Sequence, residues 1–294
     1  MKIGFIGVGN MGGPMACNLL KAGHDVTAFD LSDTALKPVV DAGGRAAETA
    51  VAAATGAEVV VSMLPAGTHV RAVFCDKGGV IDAVATGTLL IDCSTIDVTT
   101  AREVAQVAAD KGLAMLDAPV SGGVAGAEGA ALTFMVGGDA DAFARAEPLL
   151  AKMGRKIVHA GGSGNGQAAK ICNNMILGIS MIALGEAFTL GQELGLEPKT
   201  LFDISSNASG SCWAMMNHLP VPGIVETAAA NRDFKPGFAT AMMLKDLRLA
   251  QQAAQDVGVA TPLGAEAAAL YGLFSAAGHD GLDYSAIIKM IGGQ

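Results

Sequence analysis

The sequence lacks most of the features that mark secreted, metal-binding or nucleic-acid-binding proteins. Its five cysteines are scattered without a C-x-x-C pair, which favours free thiols in a reducing compartment over a disulfide framework. Its five histidines show no metal-ligand spacing and no G-x-S-x-G motif occurs, so metal-dependent hydrolysis and serine acyl transfer are poor candidates. The net charge is −9 and no basic run occurs, which argues against a nucleic-acid surface.

A targeting segment and a membrane span are not expected either. The opening MKIGFIG is typical of a strand and a turn, not of the basic and apolar regions of a signal peptide. Hydrophobic residues make up 51% of the 294 residues, but no apolar run of 18 or more is free of glycine and polar breaks. We therefore expect a cytoplasmic protein, without a membrane partner, of one large or two ordinary domains.

The first thirty residues carry a dinucleotide-binding pattern. The short apolar strand KIGFI leads into a G-x-G-x-x-G turn, a helix and a second strand that ends at Asp30, 18 residues after the last glycine. The turn consists of Gly7-Val8-Gly9-Asn10-Met11-Gly12. The order strand, glycine turn, helix, strand and acid is far more specific than the glycines alone, and it predicts a dinucleotide site.

Each residue of this pattern has a physical role. Gly7 makes the tight turn, Gly9 lets a pyrophosphate approach the backbone, and Gly12 lets the helix pack on the strand. Asp30 can accept hydrogen bonds from the ribose hydroxyls and would repel a 2′-phosphate. The following residues, Leu31-Ser32, offer no arginine to hold such a phosphate. The sequence therefore favours NAD over NADP.

Alternating strands and helices continue to about residue 160. We predict strands at 58–64, 88–93, 113–117, 132–137 and 156–159, and helices at 97–111 and 139–152. Ligands bind outside the carboxyl ends of the strands in such sheets, which would place Leu64-Pro65, Thr95 and the loop after Asp117 on the cofactor side. Thr95 equally fits a position beside a helix N-cap. In the third loop, Ser121-Gly122-Gly123 offers a hydroxyl and backbone N–H groups for an anion, or is a plain glycine turn.

Residues 164–193 predict one long helix of roughly 40 Å. From Met175 to Leu184 it is apolar on every side, so we expect it to be buried on all sides. Lys170 and Asn174 lie four residues apart near its start and share one face. Polar groups in a dry helix need partners or a function, so this is either a structural helix with a satisfied end or one that carries chemistry.

After Gly195 the sequence indicates an all-helical domain. Helices are predicted at 197–207, 237–258, 262–276 and 284–291, with an irregular 211–238 segment of the kind that is often functional. Lys245 and Asp246 fall on one of these helices, where a plain exposed pair is an adequate explanation.

The candidate catalytic residues lie outside this domain's helices. With no histidine placed by a motif, Lys170 is the natural proton acceptor for a nicotinamide enzyme. Asn174 could hold the alkoxide or orient the lysine, and Ser121-Gly122-Gly123 could bind a carboxylate.

The chain resembles the β-hydroxyacid dehydrogenases, and most closely their 3-hydroxyisobutyrate dehydrogenase branch. The segments that carry the resemblance occur in the family's order along the whole chain: FIGVGNMGGPMACNLLKAGH (5–24), DCSTID (92–97), DAPVSGGVAGAEGA (117–130), GNGQAAKICNNM (164–175) and GFATAMMLKDLRLAQ (237–251). The resemblance implies a Rossmann-type α/β domain with a mostly parallel sheet (1–163), a long interdomain helix (164–193) and an all-helical substrate and oligomerisation domain (194–294).

The resemblance also implies roles for individual residues. Lys170 and Asn174 match the catalytic pair. The implied substrate contacts are Ser121, Gly122, Gly123, Trp213, Phe234 and Asp246. The implied NAD contacts are Gly7, Val8, Gly9, Asn10, Met11, Gly12, Asp30, Leu31, Leu64, Pro65, Thr95 and Lys245, the last being a lysine that closes over the cofactor.

The implied reaction is the NAD-dependent oxidation of 3-hydroxyisobutyrate to methylmalonate semialdehyde in valine breakdown, by a homodimer or homotetramer packed through the long helix and the helical domain. Two alternatives stay open. One is a reductase of a related small aldehyde acid, namely tartronate semialdehyde, succinic semialdehyde or glyoxylate. The other is a non-catalytic nucleotide-binding scaffold on the same fold, against which the joint presence of Lys170, Asn174 and Ser121 argues.

Overall fold

The computed structural model describes residues 1–293. They form two compact units, the first spanning Met1–Lys170 and the second beginning at Ile171. The boundary falls inside the long helix. The division into 1–163, 164–193 and 194–294 that the sequence suggests stays a prediction.

The first unit is a sheet with helices between its strands. Its strands are β1 (Lys2–Ile6), β2 (Asp25–Phe29), β3 (Arg45–Ala46), β4 (Val59–Ser62), β5 (Leu89–Asp92), β6 (Ala114–Asp117), β7 (Val120–Ser121), β8 (Leu132–Gly137) and β9 (Gly154–Gly161). Its helices are α1 (Gly12–Lys21), α2 (Asp33–Asp41), α3 (Ala50–Ala54), α4 (Gly67–Cys75), α5 (Val80–Ala83), α6 (Val98–Asp110), α7 (Gly123–Glu128), α8 (Ala140–Leu150) and the start of α9 (Asn165–Glu193).

The sheet is mostly parallel, as predicted. The strand order is β3-β2-β1-β4-β5-β6-β8-β7, with β9 beside β8. Neighbours from β3 to β6 are parallel, whereas β8 runs antiparallel to β6 and β7 and parallel to β9. The chain leaves β1 toward β2 on one side and later returns to β4 on the other. The carboxyl end of β1 therefore lies at the point where the strand order reverses, which is where such sheets bind ligands.

Helices on both faces explain why the central strands read as unbroken apolar runs. Every residue of β4 and β5 is buried. One core cluster packs Phe5, Met15 and Leu19 between the sheet and α1, and another packs Val60 and Leu90 on the opposite face. The glycine turn between β1 and α1 is thus held by a dry, two-sided core.

The second unit is helical, as predicted. It contains the rest of α9 together with α10 (Pro198–Ser205), α11 (Trp213–His218), α12 (Thr240–Val257), α13 (Pro262–Phe274) and α14 (Ile288–Ile291). Short 3-10 helices at Ala229–Arg232 and Tyr284–Ile287 and a π-helical turn at Ser275–His279 complete it. Between residues 171 and 293 the only extended pairing is an isolated bridge from Ala239 to Asp283.

Two expectations for this unit need correction. The 211–238 segment is not wholly irregular, because α11 and a 3-10 helix lie within it. The long helix is not buried on all sides of the single chain, because Ile176 is 64% exposed and Leu190 is 61% exposed. Helices of the second unit pack against only part of its circumference, for example Gly178 against Leu247. The apolar composition of α9 shows how much apolar surface the helix could bury. It does not show how much of that surface this chain covers.

Helix α9 is also the one helix within residues 1–293 that is long and apolar enough to cross a membrane by length and composition. Of its most apolar window, 44% is buried inside the structure. Core helices of globular proteins pass the same test, so this is weak evidence for a membrane span.

Candidate dinucleotide and catalytic site

The glycine turn has the geometry that each glycine was expected to provide. Gly7 has a φ of +87°, and a Cβ there would lie 2.3 Å from the Met63 carbonyl oxygen. A Cβ on Gly12 would lie 2.0 Å from the carbonyl oxygen of Gly7, so only glycine lets α1 begin so close to β1. A Cβ on Gly9 would meet nothing within 4 Å. The open space beside Gly9 is what a pyrophosphate approaching the backbone requires.

Asp30 ties the end of β2 to this turn. Its Oδ2 accepts a hydrogen bond of 2.8 Å from the Val8 backbone N–H, and its Oδ1 accepts one of 2.9 Å from Ser32. Leu31, beside it, is 93% exposed. Asn10 is exposed, and Met11 lies at the N-cap position of α1. The predicted cofactor residues at positions 7–12 and 30 therefore form one connected group in the first unit.

The loops after β4 and β5 are joined through Ser94. Its Oγ accepts a hydrogen bond of 2.7 Å from the Leu64 backbone N–H and donates one of 2.5 Å to Oδ1 of Asp92. Asp92 is fully buried, and burial raises the pKa of its carboxyl group. Next to these residues, Pro65 is exposed and Thr95 is half-buried. The two loops expected to contact NAD are thus neighbours.

The start of α9 is held by two buried residues that the sequence did not single out. Asp117, at the end of β6, accepts hydrogen bonds from the backbone N–H groups of Gly164 (2.7 Å, at Oδ1) and Gln167 (2.9 Å, at Oδ2). The Gln167 side chain donates to the carbonyl oxygen of Ser94 (2.7 Å) and accepts from the N–H of Ile96 (3.1 Å). Burial raises the pKa of the Asp117 carboxyl group. These bonds fix the helix start beside the β5 loop.

Lys170 lies one turn beyond Gln167 on α9 and is 7% exposed. A buried lysine at the start of a helix pinned to the cofactor side of the sheet is suited to proton transfer. Ser121 closes β7, and both following glycines have positive φ angles, +135° at Gly122 and +61° at Gly123. These conformations favour glycine and leave the loop free to present backbone N–H groups. No cluster of metal-ligating side chains occurs within residues 1–293.

The second unit brings together Asn174, Lys245 and Asp246. Asn174 is 2% exposed and donates from Nδ2 to Oδ2 of Asp246 over 2.5 Å. Nζ of Lys245 lies 3.5 Å from Oδ1 of the same aspartate. Asp246 is itself 2% exposed, so the explanation as a plain exposed pair is wrong. A buried aspartate that accepts from an asparagine and pairs with a lysine is an organised polar group.

Trp213 and Phe234, the predicted pocket residues, differ in setting. Trp213 begins α11, is 59% exposed, and its ring centroid lies 5.0 Å from that of His218. Phe234 is buried, and both it and Asp233 have positive φ angles, +55° and +50°. Left-handed conformations at two adjacent non-glycine residues are strained and concentrate at functional segments.

Sequence reasoning missed Asp92, Asp117 and Gln167 as parts of the site. Asp92 and Asp117 each end a strand of the parallel sheet, which was a usable signal because ligand sites lie at those ends. Gln167 gave no signal of its own, since its side chain bonds to residues more than 70 positions away in sequence. The functional roles of all the predicted site residues remain predictions.

Two family models match the chain. Residues 2–162 match the NAD binding domain of 6-phosphogluconate dehydrogenase, which corresponds to the sheet and its glycine turn. Residues 164–291 match a family described as NAD-binding of NADP-dependent 3-hydroxyisobutyrate dehydrogenase, which corresponds to α9 and the helical unit.

Individual proteins match over nearly the full length. The chain is 51% identical to a 3-hydroxyisobutyrate dehydrogenase of Pseudomonas aeruginosa, covering 99% of each chain. It is 50% identical to an NAD-dependent L-serine dehydrogenase of the same organism, covering 98% of this chain and 97% of the relative. Among solved structures, the 3-hydroxyisobutyrate dehydrogenase of Mycobacterium tuberculosis with L-serine matches with a TM-score of 0.94 and 50% identity over 98% of each chain.

Proposed function

The chain belongs to the 3-hydroxyisobutyrate dehydrogenase family, and from this membership we propose how its own residues carry out the reaction. It is an NAD-dependent dehydrogenase, and the reaction is the oxidation of 3-hydroxyisobutyrate to methylmalonate semialdehyde. The observation that carries this function is the buried Lys170 on a helix whose start is pinned beside the cofactor loops.

The residues of the first unit fit a dinucleotide. The open space at Gly9 and the first turn of α1 suit a pyrophosphate, and Asp30 suits the adenosine ribose. Leu64, Pro65 and Thr95 follow the neighbouring strands β4 and β5. Bound NAD supplies the acceptor for the hydride that leaves the alcohol carbon.

Lys170 supplies the acid–base chemistry. In its neutral form the amine accepts the proton of the substrate hydroxyl as the C–H bond breaks and the carbonyl bond forms. The products are the aldehyde acid and a protonated Lys170, which then returns its proton to solvent. Ser121-Gly122-Gly123 binds the substrate carboxylate through its hydroxyl and N–H groups. Asn174, one turn beyond the lysine and held by Asp246, orients the reacting oxygen.

L-Serine is a second candidate substrate, because one relative that is 50% identical is named for it. Both compounds are 3-hydroxy acids, and they differ at C2 in a methyl or an ammonium group. A single methyl contact discriminates by only about 1–3 kcal/mol, so the two acids are close competitors for such a site. We further propose a cytoplasmic homo-oligomer that works in valine breakdown, with the exposed apolar side chains of α9 covered in the assembly.

A substrate panel tests the proposed function. We expect NADH formation to be fastest with 3-hydroxyisobutyrate and NAD, slower with L-serine, and slower still with glycerate or 4-hydroxybutyrate or with NADP. The measurement is the NADH absorbance at saturating cofactor for each acid. Faster NADH formation with L-serine or another acid would leave the proposed chemistry unchanged and would identify that acid as the substrate. Binding of NAD without turnover of any acid would support a nucleotide-binding scaffold instead.

Asp30→Ala is expected to raise the KM for NAD by about tenfold to a hundredfold, because one charged hydrogen-bonding group is lost. The KM for NADP should change less, so the preference for NAD narrows. Adding Leu31→Arg, at an exposed position, should reduce the preference for NAD over NADP further, because it places a cation near the 2′-phosphate of NADP. Asp41→Ala, at an exposed aspartate on α2, is the matched control. An unchanged ratio of the two KM values would remove Asp30 from cofactor selection.

A further inference from the structure

Gln167 is a side chain of the first unit that the proposed mechanism does not use, and both of its amide heteroatoms are hydrogen-bonded. It is fully buried at 0% exposure. Its amide oxygen accepts from the Ile96 N–H over 3.1 Å, and its amide nitrogen donates to the Ser94 carbonyl oxygen over 2.7 Å. If the amide were rotated by 180°, its NH2 group would face the Ile96 N–H and its oxygen would face the Ser94 carbonyl oxygen. The two contacts therefore define one orientation of the amide.

Ser94 extends this pair of bonds into a chain. Its carbonyl oxygen accepts from Gln167, while its hydroxyl accepts from the Leu64 N–H and donates to Asp92. A continuous path of buried or partly buried hydrogen bonds therefore runs from the loop after β4, through the loop after β5, to α9. Thr95 sits between Ser94 and Ile96, the two residues whose backbone groups Gln167 holds.

The backbone of Gln167 is fixed as well. Its N–H donates to Oδ2 of Asp117, which also accepts from Gly164. The residue is therefore anchored by its main chain to the end of β6 and by its side chain to the loop after β5. Lys170 follows three residues later, one turn along nearly the same face of the helix. A shift of this turn would move the lysine and the loop together.

We propose that Gln167 is a positioning residue, which couples the loops that hold the cofactor to the helix turn that carries Lys170. This inference rests on the proposed roles of Leu64, Thr95 and Lys170. The single side-chain amide of Gln167 then holds both the loop after β5 and the helix turn that carries the proton acceptor, Lys170. Only a side chain of this length with both a donor and an acceptor satisfies both backbone groups.

Two variants test the proposal. Gln167→Met keeps the length of the side chain and removes both hydrogen bonds, leaving two buried backbone groups without partners. We expect NADH to bind about fivefold to a hundredfold more weakly and kcat to fall with it. Gln167→Glu keeps the acceptor, but donates to Ser94 only when its carboxyl group is protonated. Gln192→Glu makes the same change at an exposed position of the same helix and is the control.

The glutamate variant gives a readout that a merely structural role would not produce. Burial and the nearby Asp92 and Asp117 favour its neutral form, while Lys170, one turn away, favours its charged form. Below its pKa the neutral carboxyl group makes both bonds, so NADH affinity should approach that of the wild type. Above its pKa the affinity should fall toward that of the methionine variant. Wild type, Gln167→Met and Gln192→Glu should lack this transition.

The measurement is the NADH dissociation constant from mildly acid to alkaline pH, with circular dichroism to confirm folding. Wild-type affinity at every pH in both Gln167 variants would overturn the proposal. So would failure of both to fold at any pH, because Gln167 would then be a core structural residue. If Gln167→Met does not fold but Gln167→Glu does, the proposal is tested by the pH dependence of NADH affinity in Gln167→Glu. A transition supports the proposal, and wild-type affinity at every pH overturns it. Since the readout is NADH binding, it is independent of which acid the wild type oxidises, so an error in the proposed substrate is recognised separately.

Discussion

Lys170→Ala is expected to lower kcat by about a hundredfold to ten-thousandfold while the dissociation constant for NADH stays near that of the wild type. The range is the usual contribution of a positioned general base. The lysine is buried on a helix turn held by Asp117 and Gln167 through bonds that do not involve its side chain. Its removal should therefore spare the cofactor loops and remove the acceptor for the substrate proton.

Two further measurements separate a base from a cation. Lys170→Arg keeps the positive charge but cannot release a proton at any accessible pH, so it should be as inactive as the alanine variant. Small primary amines added to Lys170→Ala should restore part of the turnover, with a rate that follows the concentration of the neutral amine. Lys156→Ala, at an exposed position on β9, is the control and should keep full activity.

Activity of Lys170→Arg close to that of the wild type would mean that the lysine acts through its charge alone. Wild-type turnover in Lys170→Ala would remove it from the chemistry altogether and shift attention to Asn174 and Asp246. Loss of NADH binding in the alanine variant would instead show that the lysine belongs to the cofactor site. Each result assigns a different role to the same side chain.

The sequence was sufficient to predict the features that depend on local chemistry. The glycine turn, the acid at the end of β2, the strands alternating with helices and the span of α9 each follow from residue-type patterns within one short stretch of chain. Gly7 and Gly12 are the clearest examples, because the structure leaves no room for a side chain at either position.

The sequence was insufficient where a contact joins distant segments. Gln167 reaches Ser94 and Ile96, 73 and 71 positions away, and no local pattern marks such a partner.

Ile176 shows a second limit of prediction from the sequence. Its apolar surroundings predicted burial, yet it is 64% exposed in the single chain, because hydropathy does not say which surface covers a residue. Short elements such as α3 and β3 were also missed, since they span too few residues to show a period.

The glycines of the turn offer a comparison in which stability and cofactor binding change separately. Gly12→Ala should lower the free energy of unfolding by about 1–3 kcal/mol or more, because its Cβ would overlap the Gly7 carbonyl oxygen at 2.0 Å. Gly9→Ala should leave stability unchanged, because its Cβ would meet nothing within 4 Å. At the same time Gly9→Ala should weaken NADH binding at least tenfold, or about 1.4 kcal/mol, because the methyl group occupies the space a pyrophosphate needs.

Denaturant unfolding and NADH titration of both variants check this pair of effects. Gly23→Ala is a control for glycine removal, since it changes a glycine with open space around it and a φ of +84° outside the turn. It should cost some stability through backbone strain while leaving NADH affinity intact. If Gly9→Ala binds NADH as the wild type does, the pyrophosphate does not pass over Gly9. If it unfolds as easily as Gly12→Ala, the turn is tighter than its open space implies, and the glycine there serves the fold and not the ligand.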